Sequence, residues 1–271
     1  MNKTAVIDIG SNSVRLMMMA DGKVLYKTLN TTRLGEGIAS SPFLKDEAIS
    51  RTASAVADFF SRAKREGAVD VYAFATAAVR SAENGSAFID RVKELCELDV
   101  EIISGEEEAE IGILGALGEK DGGIIDVGGA STEIIIRAGG TIIYKKSVNI
   151  GVVRLKDLCG AEKDRLKAAA EDAVKEYGKV PNGTSMYAIG GTATTLAALT
   201  LNMRGYTPSK ITGTVIGSEQ MRVLADRLTG MKAGGIGRPK NARLVGKVLK
   251  DSQACSRNGR MFWAAEPSCF Q

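Results

Sequence analysis

Short apolar runs separated by small polar residues dominate the start of the chain. Residues 5–20 read AVIDIGSNSVRLMMMA, so that two apolar segments flank a polar turn at 10–13. An Asp-Gly pair at 21–22 then leads into a third apolar segment. Runs of this length joined by turn dipeptides predict three strands connected by hairpins. Asp8 ends the first buried run, where an aspartate has little structural reason to be, and therefore indicates a bound ligand.

The same pattern returns 118 residues later. Residues 6–27 (VIDIGSNSVRLMMMADGKVLYK) align without a gap on residues 124–145 (IIDVGGASTEIIIRAGGTIIYK). The two copies share four key positions, namely Asp8/Asp126, Gly10/Gly128, Ser13/Ser131 and Gly22/Gly140. A repeat of this kind predicts a duplicated structural unit.

The segments after each copy also correspond. Apolar spacing predicts a helix over 44–67, a strand over 69–76, a helix ending near Cys96, a short strand over 100–103 and a helix opening at Ser104. Ser104 and Glu107 fit the S-x-x-E capping box, which fixes that last helix start. The second copy is followed by helices near 154–158 and 162–177, a strand over 185–191 and a helix over 192–201.

These elements predict an α/β protein made of two tandem βββαβα lobes with a cleft between them. We expect the lobes to span residues 1–120 and 121–231, followed by an atypical basic tail over 232–271. Paired polar turns facing such a cleft would bind anions, especially phosphate, because turn amides and helix N-termini concentrate hydrogen-bond donors. The aspartates beside the turns would hold a divalent cation that bridges phosphate oxygens.

Composition narrows the chemistry. The 271 residues are 44% hydrophobic, enough for two lobes with real cores, and contain no histidine. A Ser-His-Asp triad, a Cys-His pair and an imidazole metal site are therefore excluded within this chain. Its four cysteines are far apart and form no CxxC pair, so neither a zinc site nor a disulfide framework is expected. Carboxylates must perform any acid-base chemistry.

The charge is unevenly distributed. The net charge is +4, but residues 232–271 hold 8 Lys or Arg against 2 Asp or Glu, which leaves the rest slightly acidic. We favour a frameshifted or truncated reading frame for this tail; the alternative is an evolved basic tail that holds a polyanion. No apolar run is long enough to span a bilayer and no leader precedes the first strand, so we expect a cytoplasmic protein without membrane association.

Five motifs occur in a specific order, and together they carry a family resemblance. They are DIGSNSVRL, ATAAVRSAENG, ISGEEEAEIG, DVGGASTE and IGGTATTLAAL. Over residues 5–202 the chain resembles the exopolyphosphatase and guanosine pentaphosphate phosphohydrolase family, within the actin-like, ribonuclease H-like ATPase superfamily. Relatives carry a late strand that completes the second lobe, and we find no equivalent motif after residue 232.

The resemblance implies a Mg²⁺-dependent hydrolase that releases terminal phosphate from inorganic polyphosphate, with guanosine pentaphosphate as a further candidate substrate. A homodimer is a candidate assembly, and no specific nucleic-acid partner is implied. Two alternatives stay open. The chain could be an ATP-dependent small-molecule kinase or ATPase of the same superfamily, or a polyphosphate-binding remnant that its tail has inactivated.

The resemblance also assigns roles to acidic residues. Glu108, the last glutamate of SGEEEA, would be the catalytic base that deprotonates the attacking water. The alternative is that Glu106–Glu108 only complement the positive end of a helix dipole. Asp126 would act in catalysis and coordinate metal, with Glu133 as the second acidic group and Asp8 as the equivalent in the other lobe. Where many relatives carry arginine, this chain has Glu110.

A larger set of residues is expected to surround the phosphates. For the glycines the alternative is a plain hairpin requirement, for the arginines a solvated charge, and for residues 189–192 an ordinary strand-to-helix turn. The candidate phosphate-binding residues are Gly10, Ser11, Asn12, Ser13, Arg33, Arg80, Asn84, Gly128, Gly129, Ala130, Ser131, Thr132, Gly190, Gly191 and Thr192.

Overall fold

A computed structural model describes residues 2–160, 162–203, 207–230 and 260–263. The chain divides into two compact units, Met1–Ser104 and Gly105–Gln271. Each unit is a sheet with helices packed on it, so the predicted α/β class is confirmed. Within the described ranges, no helix is both long enough and apolar enough to cross a membrane.

The first unit is built on a five-stranded sheet. Its strands are β1 (Lys3–Ile9), β2 (Val14–Ala20), β3 (Lys23–Asn30), β4 (Ala68–Ala75) and β5 (Glu101–Ile102), in the order β3-β2-β1-β4-β5. Its helices are α1 (Asp46–Arg65), α2 (Ala77–Ser81) and α3 (Gly85–Cys96). The alternating apolar positions of β1 and β2 are buried, and Ile7, Leu16 and Phe88 are fully inaccessible to solvent.

The second unit repeats this plan. Its strands are β6 (Gly122–Val127), β7 (Thr132–Ala138), β8 (Thr141–Val148), β9 (Met186–Ile189), β10 (Val215–Gly217) and β11 (Arg260–Trp263), in the order β10-β11-β9-β6-β7-β8. Its helices are α4 (Gly105–Leu117), α5 (Val152–Cys159), α6 (Lys163–Lys175), α7 (Gly190–Thr200), α8 (Pro208–Ile211) and α9 (Ser218–Gly230). Both faces of the sheet are apolar because helices cover each of them.

Helix α4 begins one residue after Ser104, where the capping box places its start. Its buried residues Ala109, Ile113 and Leu117 pack in one cluster with Ile124 and Ile135 of the second sheet. The helix therefore contributes to the core of the second unit. The expected boundary after residue 120 would group α4 with the first lobe, and that boundary stays a prediction.

The duplication extends to the hydrogen-bond register. In the first hairpin Asp8 lies opposite Arg15, and in the second Asp126 lies opposite Glu133, at an offset of 118 in both strands. Each following strand pair contains a register shift, between Met18 and Met19 in one copy and between Ile136 and Arg137 in the other. The two register shifts are also 118 residues apart, so this irregularity in strand pairing occurs at the same place in both copies.

One element of the tail departs from expectation. Residues 260–263 form β11, which pairs parallel with β9 and antiparallel with β10. These four residues thus add a strand to the second sheet, although the tail contains no motif like that of the relatives' late strand. The remaining residues of 231–271 lie outside the described residues, and the frameshift interpretation stays a hypothesis.

Candidate functional site

The polar turn of the second unit connects β6 to β7 and closes with one backbone hydrogen bond. Gly128 N donates to Ser131 O at 3.0 Å, and a Cβ on Gly128 would sit 3.1 Å from that oxygen. Gly10 N and Ser13 O form the same bond at 3.0 Å in the first unit. Glycine is the first residue of both turns. The serine carbonyl oxygen that accepts the hydrogen bond lies so close to it that little room remains for a side chain.

The carbonyl groups of this turn point at α5. Val152 N donates to Gly128 O at 3.0 Å, Val153 N to Gly129 O at 2.7 Å, and Arg154 Nε to Ala130 O at 3.0 Å. In a trans peptide the N–H points opposite to the preceding C=O. The N–H groups of residues 129–131 are therefore directed away from α5, in the arrangement that forms an anion-binding nest.

Gly151 makes the close contact between α5 and the turn possible, and the sequence analysis did not identify this residue. A Cβ at this position would overlap the Gly129 peptide, at 2.5 Å from its carbonyl carbon and oxygen. Only glycine allows α5 to approach the turn so closely. The repeat offers the one available signal. Position 151 lies 118 residues after Arg33, and the Arg33 segment contacts the equivalent turn of the first unit.

Two carboxylates lie side by side next to the turn. Asp126 and Glu133 are directly opposite each other on β6 and β7, so their side chains share one face of the sheet. Glu133 is only 1% exposed, and its Oε1 accepts a hydrogen bond from Ser147 Oγ of β8 at 2.7 Å. Like charges in this position are unfavourable unless a cation neutralises them.

Asp126 also meets the first residue of α7. Gly190 has φ +82°, and a Cβ there would overlap Asp126 Oδ1. The carboxylate therefore lies at the positive end of a helix. Thr192 Oγ1 donates to Val127 O at 2.6 Å, which fixes the first turn of α7 to the end of β6. The Thr192 hydroxyl is thus engaged by the backbone.

The packing of α4 places Glu108 at the level of Asp126. A Cβ on Gly112 would lie near Ile124 Cδ1, whereas one on Gly122 would meet Leu117 Cδ1, so the helix runs antiparallel to β6. Glu108 is one turn before Gly112 on the same helix face, which is about 6 Å. Asp126 is two residues beyond Ile124, which is about 7 Å. Glu108 and Asp126 therefore lie at the same end of the sheet.

The neighbouring glutamates have a different partner. Lys145 Nζ of β8 contacts Glu106 Oε2 and Glu110 Oε1, both at 2.8 Å. The hydrogen bonds that Lys145 donates to these two carboxylates raise the pKa of Lys145 above its usual value. The pair occupies the side of α4 that faces β8, and Glu108 lies on the other side. The three glutamates of the motif are therefore not equivalent.

The turn of the first unit is built in the same way. Gly35 N donates to Ser11 O at 2.8 Å, just as Val153 N donates to Gly129 O. Arg33 N donates to Asn12 O at 2.9 Å, and the Arg33 residue is exposed with φ +54°. The N–H groups of residues 12 and 13 therefore point away from this segment.

Asp8 differs from its counterpart in charge environment. Arg15 Nη1 donates to Asp8 Oδ2 at 2.8 Å, so an ion pair occupies the place of the second unit's two carboxylates. The predicted metal role of Asp8 stays a prediction. Within the described ranges, no group of three or more histidine, cysteine or acidic residues is arranged to hold a metal.

The two other predicted residues of the first unit contact backbone. Arg80 Nη1 donates to Ile103 O at 2.7 Å. The Asn84 amide accepts from Leu44 N at 2.7 Å and donates to Leu44 O at 2.9 Å. Asn84 thus clamps the residues before α1, and its phosphate contact stays a prediction.

A series of buried or partly buried hydrogen bonds holds the residue that follows the polar turn of the second unit. Thr132 Oγ1 donates to Ile150 O at 2.5 Å, Tyr177 Oη donates to Thr132 O at 2.7 Å, and Tyr144 Oη donates to Tyr177 O at 2.7 Å. Burial away from water lowers the pKa of the adjacent Arg154 guanidinium. Thr132 holds the frame of the turn, and its predicted phosphate contact is untested.

Two α/β units that each carry a turn beginning with glycine shortly after an aspartate define the actin-like class of fold. The chain belongs to the Ppx/GppA phosphatase family, whose sequence model matches residues 5–250. Both the fold class and the family predicted from the motifs are therefore confirmed.

Several named relatives are similar to this chain. Exopolyphosphatase 2 of Mycobacterium tuberculosis is 28% identical over 264 residues, covering 85% of this chain and 81% of that protein. The bifunctional 3-dehydroquinate synthase/phosphatase of Fusobacterium nucleatum is 31% identical over 241 residues, but the match covers 35% of its length. The guanosine-5'-triphosphate,3'-diphosphate pyrophosphatase of Photobacterium profundum is 35% identical over 158 residues, or 32% of its length.

Solved structures agree on the fold. The Aquifex aeolicus PPX-GPPA enzyme superposes with a TM-score of 0.78 at 26% identity, covering 98% of this chain and 96% of that one. An exopolyphosphatase from Cytophaga hutchinsonii gives a TM-score of 0.83 at 23% identity, covering 98% and 95%. The second likeness supports the fold alone.

Proposed function

We propose that the protein is a phosphoanhydride hydrolase that releases terminal phosphate from inorganic polyphosphate, with guanosine pentaphosphate as a second substrate. The observation that carries this proposal is the Asp126–Glu133 pair, which lies between a nest of turn amides and the N-terminus of α7. Membership of a phosphatase family and similarity to a mycobacterial exopolyphosphatase support it.

The turn and the helix start would bind the substrate. The N–H groups of residues 129–131 point away from α5 and can donate to phosphate oxygens without any rearrangement of the turn. Donors that are oriented before the substrate arrives stabilise the charge that develops during phosphoryl transfer. Gly190 and Gly191 at the start of α7 would extend this surface, because helix N-termini favour phosphate.

The donor set fits Mg²⁺. This ion is usually bound through one or two carboxylates and completes its octahedral shell with water and substrate phosphates. Asp126 and Glu133 supply two such oxygen donors in register, with Ser147 orienting Glu133. When bound, the ion neutralises phosphate charge and polarises the phosphoryl oxygens. Asp126 and Glu133 would hold it, and the chain's remaining groups would position the reactants.

Glu108 is the proposed general base. Its position on α4, at the level of Asp126 and on the face away from Lys145, supports this role, because the carboxylate would then lie beside the proposed phosphate surface. There it would accept a proton from the attacking water as the water approaches the terminal phosphorus. Glu106 and Glu110 instead hold Lys145 and would not act on water.

The proposal is tested by phosphate release. The purified full chain is incubated with Mg²⁺ and, separately, polyphosphate, guanosine pentaphosphate, and ATP with small-molecule acceptors. Phosphate release from the first two, in the absence of ADP formation from the third, is the expected result. Formation of ADP with a phosphorylated acceptor would assign the chain to the kinases instead, and binding of polyphosphate without release would make it a binding protein.

The identity of the metal ion, the cellular location and the oligomeric state each need a separate measurement. Mg²⁺ as the physiological ion is tested by comparing activation with Ca²⁺ and Mn²⁺ at equal concentrations. A cytoplasmic location is tested by fractionating cells that express the full chain. A homodimer is tested by light scattering of the purified protein over a range of concentrations.

A further inference from the structure

The polar turn of the second unit is bound by α5 through three carbonyl groups, but the donors are not of the same kind. The carbonyl groups of residues 128 and 129 accept from backbone N–H groups at the start of α5. Ala130 O accepts instead from the side chain of Arg154, whose Nε donates at 3.0 Å. The peptide between residues 130 and 131 is therefore bonded to a positively charged group.

The turn of the first unit differs at this point. Asn12 is the counterpart of Ala130 at the offset of 118, and its carbonyl accepts from a neutral donor, the backbone N–H of Arg33, at 2.9 Å. The position equivalent to Arg154 is occupied by an acidic residue, Glu36. Of the two turns, the second is thus the one in which a guanidinium binds the last of these carbonyl groups.

The surroundings of Arg154 strengthen its effect on the turn. The residue is partly buried, and burial away from water lowers the pKa of its guanidinium. An arginine nevertheless remains protonated in proteins, so the charge is present at every pH of interest. Ala130 is fully buried. Solvent and salt screen a charge in such a place less than they screen a charge at the surface.

A peptide group can transmit this charge to its other side. The C=O and the N–H of a trans peptide point in opposite directions. A cation at Ala130 O draws electron density towards the oxygen and leaves the N–H of Ser131 more positive. Hydrogen bonds that are connected through a polarisable group strengthen one another in this way. The Ser131 N–H is one of the donors of the proposed phosphate surface.

We propose that Arg154 is a positioning residue that acts from behind the turn, where it fixes the peptide between Ala130 and Ser131 and makes the Ser131 N–H a stronger donor to phosphate. This inference rests on the proposed function, because the phosphate chain is the anion that accepts from this N–H. Arg154 does not touch the substrate. Its effect requires the charge of the guanidinium as well as its hydrogen bond.

The first experiment separates the charge of Arg154 from its hydrogen bond. Binding of imidodiphosphate, a diphosphate with a bridging nitrogen that resists hydrolysis, is measured by calorimetry with Mg²⁺ for the wild type, Arg154→Lys and Arg154→Gln. Lysine keeps the charge, whereas glutamine keeps a neutral N–H donor. We expect the Kd to rise about tenfold in Arg154→Gln through loss of a nearby charge, and by less than about threefold in Arg154→Lys. Equal weakening in both variants, or unchanged binding by a folded Arg154→Gln, would overturn the proposal.

Arg165→Gln is the matched control. Arg165 Nη2 donates to Leu158 O at 2.7 Å near the other end of α5, so this variant also removes a guanidinium from a backbone carbonyl. It should bind imidodiphosphate as tightly as the wild type. Weakening equal to that of Arg154→Gln would attribute the effect to loosening of α5 and would contradict a specific role of the charge behind the turn.

The second experiment uses the wild type alone, in case Arg154→Gln does not fold. Backbone amide resonances are followed by nuclear magnetic resonance as imidodiphosphate is added in the presence of Mg²⁺. We expect the amide proton of Ser131 to move downfield at least as far as those of Gly129 and Ala130, because a charge-assisted donor forms the shorter bond. Movement at residues 129 and 130 with none at residue 131 would rule out the proposal.

The outcomes also separate this inference from the proposed function, since neither experiment depends on turnover. If imidodiphosphate binds with the expected differences and the chain releases no phosphate from polyphosphate, the hydrolase assignment fails and the role of Arg154 stands. If phosphate is released while Arg154→Gln binds imidodiphosphate normally, the role of Arg154 fails and the hydrolase assignment stands. Absence of imidodiphosphate binding in the wild type would count against both.

Discussion

Gly190 and Asp126 approach each other so closely that any side chain at position 190 would overlap the carboxylate. The positive φ of Gly190 is a second reason for glycine, since this backbone conformation is unfavourable for residues with a Cβ. The orientation of the Asp126 carboxylate thus depends on the absence of a side chain at position 190, the first residue of α7.

Replacing Gly190 by alanine should therefore damage the site as well as the fold. We expect a loss of unfolding free energy of about 1–3 kcal/mol from strain, together with a marked fall in phosphate release as Asp126 moves. Gly213→Ala is the control, because Gly213 has φ +77° but nothing within 4 Å of a Cβ. It should lose some stability and keep its activity. Equal activity losses in both variants would argue against a specific contact.

The base assignment is tested by Glu108→Gln. This change removes a proton acceptor and preserves shape, so the rate of phosphate release should fall by about 10²–10⁴-fold while polyphosphate binding is retained. The matched control is Glu110→Gln, the same change on the face of α4 that contacts Lys145. Near-normal turnover of Glu108→Gln would reject the residue as the base.

Asp126→Asn should raise the Mg²⁺ concentration needed for half-maximal activity, because one anionic ligand of a hard cation becomes neutral. Glu133→Gln should act in the same direction. Asp121→Asn is the control, since Asp121 immediately precedes the other end of β6. Metal titrations of Asp126→Asn and wild type that superimpose would remove Asp126 from the metal site.

Asp121 provides a pH-dependent contribution to stability. Its carboxylate accepts hydrogen bonds from Gly139 N at 2.7 Å and Gly140 N at 3.0 Å, and these backbone donors lower the pKa of Asp121 below its usual value. A lowered folded-state pKa adds stability that is present above the unfolded-state pKa and is lost as the pH falls through the folded-state pKa.

Asp121→Asn should therefore be less stable than wild type near neutral pH. The difference should narrow as the pH falls below the usual pKa of an aspartate, because the wild-type carboxylate then also becomes protonated. Urea unfolding of both proteins across this range measures the effect, with Asp58→Asn on α1 as an exposed control. A constant difference at every pH would show that the charge of Asp121 is not the cause.

Truncation after residue 231 tests the tail. Strand β11 pairs with both β9 and β10, so its loss should lower the unfolding free energy and increase hydrogen exchange in β9. If the tail instead acts only as a basic clamp, truncation should leave stability unchanged and flatten the salt dependence of polyphosphate binding. Measurements of stability and of binding at low and high salt distinguish these outcomes.

Local sequence patterns were sufficient to predict most of the fold. The turn dipeptides at 21–22 and 139–140 and the capping box at Ser104 each act through contacts within a few residues, and the corresponding hairpins and helix start are present. The offset of 118 also predicted the paired turns. Helix α7 begins at Gly190, two residues before the predicted start, and the positive φ of Gly190 is visible only in the structure.

Long-range contacts were not predictable in the same way. The amide of Asn84 binds the backbone of Leu44, 40 residues away, and nothing near either residue marks this contact. The packing of α4 on the second sheet depends on Gly112 fitting against Ile124. The composition of the tail gave no indication of the strand at residues 260–263, because four residues can pair in a sheet whatever the charge of the segment around them.

The matching register shifts in the two hairpins restrict how this chain can change in evolution. A bulge reverses which side chains face the core for every position beyond it, so the shifts at Met18/Met19 and Ile136/Arg137 must be inherited together with the residues that follow them. A one-residue insertion or deletion before either shift would turn the following side chains to the opposite face of the sheet. Substitutions at fixed length preserve this register, and the unlike residues Arg15 and Glu133 occupy equivalent positions within it.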